Sequence, residues 1–279
     1  MRLAIALLAA AAALAGAGAA SAASVEMKDA VARVTVIPED RGDIKVEIVR
    51  ANPKLPLTVR TFGGATVVDG DLRHRIRDCH HRSDRPSVYV AGVGRVEGDD
   101  FPQVVIRTPR AVSIASNGAV FGSIGRAASL DLHDSGCSSW TVADVAGDAN
   151  VQESGAGSLQ MGSSGRLGVH LSGAANIHAV RVRQGLDAQL SGVGNVQVED
   201  ISGPVQAHVS GVGRVRMTGG HATTLRASVS GMGGVDFGGT ADSLEAGISG
   251  LGSVRVKQVT GSVTKSVSGA GHVSIDGRP

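Results

Sequence analysis

The sequence predicts an all-β protein, a right-handed parallel β-solenoid with coils of about 19 residues and an irregular β section at its N-terminal side. Three observations predict it. A Ser-Gly corner recurs at Ser154-Gly155, Ser172-Gly173, Ser191-Gly192, Ser210-Gly211, Ser230-Gly231, Ser249-Gly250 and Ser268-Gly269, in steps of 18, 19, 19, 20, 19 and 19 residues. In the last five copies a second glycine follows two places on, at Gly194, Gly213, Gly233, Gly252 and Gly271. Residues on either side of the corner alternate with period two: Leu186, Ala188 and Leu190 precede one corner, Val196 and Val198 follow it, and Gln189 and Gln197 stand between apolar neighbours. That is the pattern of a strand with one dry and one wet face. Finally, 40 glycines stand against four Phe, one Tyr and one Trp, a composition for a chain that turns at regular intervals around an aliphatic core.

The elements follow in order. Met1-Arg2, the apolar run Leu3 to Ala15 and the small residues Ala20-Ser21-Ala22-Ala23 have the charged, apolar and cleavage regions of a secretory signal peptide. Residues 1–23 are therefore expected to be removed on export, and no cysteine follows them directly to carry a lipid. Residues 24–115 read as irregular β coils or an N-terminal cap. Strands are expected at Ala32 to Val36, Ile44 to Ile48, Leu57 to Val59, Val67 to Val68, Val88 to Val90 and Val104 to Ile106, and Ala91-Gly92-Val93-Gly94-Arg95-Val96 reads as one more corner. Residues 116–279 read as the regular solenoid, with degenerate corners at Ser116-Asn117-Gly118 and Ser135-Gly136-Cys137.

One coil cannot bury its own apolar side, so coils must stack, about 4.8 Å apart. Stacked corners crowd backbone on backbone, and a positive φ would add a further reason for glycine. The corner serines face outward, where their hydroxyls can bridge neighbouring coils. Lys265 occupies the core position that Ala207, Ala227 and Ala246 hold in earlier coils. A buried lysine is costly, so it is expected to lie over the end of the stack as a cap.

The recurring Ser-Gly-x-Gly corner and the section "VEMKDAVARVTVIPEDRGDIKVEIV" resemble the auto-transporter adhesin-head family, the GIN domain, and related adhesin domains of bacterial envelope proteins. The resemblance covers most of the mature chain. It implies an exported, adhesin-like β-solenoid without catalytic residues, lying in the periplasm or at the cell surface of a bacterium. The partner it implies is a protein or cell-surface component.

Other chemistry is weaker. Residues 72–82, "LRHRIRDCHHR", bring together His74, Cys79, His80 and His81, all metal-ligand types. Adjacent strand residues point apart, however, and Arg73, Arg75, Arg77 and Arg82 oppose a cation, so a solvated basic loop is expected and no metal or cofactor. Cys79 and Cys137 form a candidate disulfide in a compartment that permits one. Removing residues 1–23 leaves 26 Lys+Arg against 25 Asp+Glu, which argues against nucleic acid as a partner. No later segment is apolar enough to span a bilayer. The outward positions carry Gln, Arg, His and Ser with no stacked carboxylates, which argues against a polysaccharide-acting β-helix enzyme. The scarcity of aromatic rings argues against sugar stacking. An exported non-enzymatic adhesin is the expectation, with a periplasmic scaffold or stress-related structural protein as the alternative.

Overall fold

The computed structural model describes residues 23–80 and 86–277. The signal-peptide expectation lies, apart from Ala23, outside them. The described chain is all-β, a parallel β-solenoid of about nine coils of about 19 residues. Its only helical pieces are the single 3-10 turns Arg73–Arg75 and Gly98–Asp100.

Each coil has the same three parts. A leading strand runs up to the corner, as in Ser129–Asp134, Ala149–Glu153, Leu167–Leu171 and Leu186–Leu190. A trailing strand leaves it, as in Cys137–Val142, Ala156–Ser164 and Ala174–Val182. A short third ladder then turns the chain back, pairing Ser163 with Arg181 and Arg181 with Asp200. Where the turns are gentle the parts merge, so that Val193–Val209 and Val212–Val229 each run through a trailing strand into the next leading strand. Between coils of the regular repeat the ladders are parallel and in phase with it, as in Leu167↔Leu186 and Leu186↔Val205. The period-two pattern explains the burial: Leu186, Ala188 and Leu190 are buried while Gln189 is exposed. One aliphatic core runs the length of the stack.

The parallel stack reaches further upstream than the clean repeat. Ser24–Glu39 pairs in parallel with Ala111–Ile124 along both its leading and trailing halves. Its corner falls at Asp29, with φ 46°, and the Asp29 N–H donates to Asn117 Oδ1 of the next corner at 2.5 Å. Above it, Ala65–Asp69 and Gln103–Pro109 add a partial layer in parallel. Two antiparallel strands, Thr58–Phe62 and Lys45–Arg50, then end the parallel ladders.

In sequence between Ala65–Asp69 and Gln103–Pro109, the strands Ile76–His80, Ser87–Val90 and Gly94–Glu97 form a separate three-stranded antiparallel sheet. It lies against the outside of the first trailing strands, burying Val31 and Ala119 under Leu72, Val88 and Val90. Phe101 stacks on Phe121 at 5.4 Å. Here one expectation is corrected. The Ala91 to Val96 phrase is not a coil corner; it is the turn of the hairpin between Ser87–Val90 and Gly94–Glu97. Gly92 and Gly94 have φ of 81° and 97°, the left-handed region that a tight turn demands and glycine supplies. The phrase matches the corner because both need small, permissive residues.

Cys79 and Cys137 are joined by a disulfide, with Cα atoms 6.3 Å apart. It ties the side sheet to the trailing strand Cys137–Val142. The enclosed loop, 58 residues apart in sequence, gives a loop-entropy stabilisation of about 4 kcal/mol. Cys79→Ser with Cys137→Ser is therefore expected to loosen the side sheet before the solenoid. Limited trypsin digestion should cut at Arg73, Arg75 or Arg77 much faster than in the native protein, while the coils from residue 149 on stay protected. Equal cutting rates would refute this.

Lys265 lies on the strand Val263–Val267 in register with Ala246, and is exposed. Its Nζ donates to the Val273 carbonyl at 3.4 Å. The amine thus bridges the leading and trailing strands of the last described coil rather than entering the core.

Candidate functional site

The corners are built by contact. A Cβ placed on Gly155 would fall on the carbonyl oxygen of Gly136 in the coil above, and the same holds down the column for Gly173 on Gly155, Gly192 on Gly173 and Gly211 on Gly192. A second column repeats the clash, with Gly213 on Gly194 and Gly233 on Gly213. Among the seven Ser-Gly corner glycines only Gly269 has a φ on the positive side, at 158°. Close approach is thus what demands glycine along the column, rather than backbone hand. The serine hydroxyls do reach across coils at Ser154, to the Asp134 carbonyl, and at Ser210, to the Leu190 carbonyl, both at 3.4 Å.

The leading face presents a polar ladder to solvent. Strand register sets His133 beside Gln152, Gln152 beside His170, His170 beside Gln189 and Gln189 beside His208. A cleft of about 330 Å³ runs along its upper part, between His133, Gln152 and His170 and the corner serines Ser135, Ser154 and Ser172. A second, of about 530 Å³, opens lower down between Gln189, His208, Arg226 and Glu245. Gly247, with nothing within 4 Å of a Cβ position, deepens it. These side chains offer donors and acceptors in a flat array with no Phe, Tyr or Trp ring among them.

The trailing face differs. The variable residue of the Ser-Gly-x-Gly corner forms an exposed apolar column: Val193 (58% exposed), Val212 (45%), Met232 (63%) and Leu251 (67%). Beside it Asn176 accepts from Asn195 at 2.9 Å, and Arg214 and Arg216 lie 3.4 and 3.6 Å from Asp236.

A buried acidic pair lies beneath the upper corners. Asp134 and Glu153 are 2% and 5% exposed and adjacent in register. Asp134 accepts from Trp140 Nε1 at 2.8 Å, from the Gly136 N–H at 2.9 Å and from the Ser138 hydroxyl. Glu153 accepts from the Gly155 N–H at 3.0 Å. Burial, and then the neighbouring Asp134 charge, push the Glu153 carboxyl up to about 8, against the opposing pull of the Gly155 N–H. Glu153 therefore carries its proton at neutral pH. Trp140 fits because Gly122, one coil above, leaves room where a Cβ would meet its ring.

Of the residues singled out in the sequence, the corner glycines and serines come together as two columns and the two cysteines as a bond. Among the described residues the metal-like cluster is not brought together. Cys79 is in the disulfide, His74 and His80 are exposed, and His81 and Arg82 lie outside the described residues. The acidic pair occupies inward positions, so the outward residues of the repeat give no sign of it. The signal was present: Asp134 and Glu153 immediately precede the corners at Ser135 and Ser154, where later coils hold Leu171, Leu190 and Val209.

Comparison with known proteins gives a family over part of the chain. Residues 180–279 match the family model described as "Putative auto-transporter adhesin, head GIN domain". No curated protein sequence matches. Among solved structures, the crystal structure of "a putative adhesin" from Bacteroides fragilis NCTC 9343 is similar, with 16% identity, 91% of each chain covered and a TM-score of 0.41.

Proposed function

We propose that this chain, whose residues 180–279 carry the adhesin-head repeat, is an exported, non-enzymatic adhesin that grips a protein or cell-surface component with the leading face of its solenoid. The observation that carries the reading is the His/Gln ladder that runs from His133 to His208 along that face. A rigid sheet presents such side chains at a fixed spacing, so many weak polar contacts can form together without ordering a loop. The acidic pair supports the non-enzymatic half. Asp134 is saturated by donors from its own coil, and although Asp134 and Glu153 both line the upper cleft, they are almost fully buried and Glu153 is held by the Gly155 N–H. No helix among the described residues is long and apolar enough to cross a membrane.

Protease shaving and antibody labelling of intact cells, beside cells with the outer membrane opened, test the reading. Labelling of intact cells is the expected result. Signal only after opening would sink the adhesin assignment and leave a periplasmic scaffold as the account.

A further inference from the structure

The apolar column on the trailing face has a symmetry of its own. From Ala174 it runs through Val193, Val212, Met232 and Leu251 to Ala270, one residue per coil. The ends are small and the middle is large. Upstream the same column reaches Cys137, where the chain covers its own trailing face with the side sheet through the disulfide and the Phe101–Phe121 contact. Downstream of that sheet the column residues Val193, Val212, Met232 and Leu251 are exposed among the described residues.

The charges beside the column are arranged about the point midway between Val212 and Met232. Arg216 and Asp236, which also pair with each other within the chain at 3.6 Å, share one outward column on the two coils that flank this point, with Gln197 and Arg255 on the coils beyond them. Glu199, whose carboxylate also lies 3.1 Å from His178 Nε2 of its own chain, and Lys257 stand in another, each directly after the core valines Val198 and Val256, on the coils of Val193 and Leu251. A two-fold axis through the midpoint, perpendicular to the solenoid axis, would set Val212 against Met232 of a second copy and Val193 against Leu251. It would also set Arg216 against Asp236, and Glu199 against Lys257. Sliding by one level destroys the match: an axis at Val212 puts Arg216 on Arg216, and one at Met232 puts Asp236 on Asp236. Like charges so placed select against those registers.

We propose that the trailing face of residues 174–275 is the interface of an antiparallel homodimer, centred between Val212 and Met232. Six coils at about 4.8 Å by a strand of about 20 Å give about 600 Å² on each copy, at the low end of specific interfaces. A weak dimer follows, one that leaves both leading faces open to other partners.

Sedimentation of the mature protein across micromolar concentrations should show a monomer–dimer equilibrium. Lys257→Glu is expected to weaken the dimer roughly tenfold by setting acid against Glu199 of the second copy, and Glu199→Lys with Lys257→Glu to restore it to within a few-fold. The register is read separately by cysteine cross-linking. Val212→Cys mixed with Met232→Cys should give an oxidised dimer containing one of each, and neither variant alone should cross-link. A protein that stays monomeric at about 100 µM overturns the proposal. Cross-linking of Val212→Cys with itself overturns the antiparallel register. A Glu199→Lys, Lys257→Glu variant no better than Lys257→Glu alone overturns the charge pairing.

Discussion

Raising the pH from about 5 to about 8 is expected to destabilise the upper coils, with the largest part of the loss due to one side chain, Glu153. Its carboxyl holds a proton up to about pH 8 in the fold and only to about 4.3 in an unfolded chain. Between those values the folded state binds more protons than the unfolded one, so stability falls as pH rises, by at most about 1.4 kcal/mol per pH unit. The contribution is complete below the unfolded value and lost once the pH passes the folded one. Solvent and relaxation reduce the total to a few kcal/mol at pH 8 and above. Glu153→Gln keeps an oxygen for the Gly155 N–H and removes the charge that would face Asp134. The variant should match the native protein near pH 5 and exceed it by about 2 kcal/mol at pH 8.5. Urea titrations of both proteins from pH 5 to 8.5 measure it, and parallel pH profiles would show that Glu153 is not the group responsible.

The same residue marks where the sequence stopped being legible. Periodicity revealed the repeat, the strands and their inward and outward sides, because the side-chain period of a strand and the phase of the corner are both local. Cross-strand register follows from them almost without choice: once Ser191 and Ser210 are both corners, Leu186 must lie beside Val205. The departures are the residues that break local rules. Asp134 and Glu153 are acids at core positions, and only knowledge of their partners, Trp140 and the corner N–H groups, makes them tolerable. The hairpin at Ala91 to Val96 looks like a corner over six residues and differs from one only in what lies beside it. The polar ladder was visible as single outward residues, yet His133, His170 and His208 sit two coils apart, so their alignment emerges only when coils are stacked.

Replacing a corner glycine is the change expected to cost most. Gly211 lies in the middle of the column, and a Cβ there would fall on the Gly192 oxygen, with the Ser191 carbonyl also inside contact distance. All of those atoms are backbone. They are fixed by parallel ladders on both sides of the corner, Leu186↔Val205 before it and Val193↔Val212 after it. No rotamer change can relieve the clash, so either the coil spacing opens and the flanking hydrogen bonds stretch, or the corner swings and exposes Val209 and Val215. Both act on adjacent coils as well, because each coil is held only by its neighbours. Gly211→Ala is therefore expected to cost about 3 kcal/mol or more, at the upper end of overpacking changes. Gly247→Ala is the matched control. That glycine lies on the outward side of the leading strand Leu244–Ile248 with nothing within 4 Å of a Cβ, and the substitution should be neutral or stabilise by up to about 1 kcal/mol, as a strand gains from losing glycine. Urea midpoints for the two variants decide the matter. A Gly211→Ala protein within about 1 kcal/mol of native would mean that the coils yield freely at the corner, and that the glycine column is not what sets their spacing.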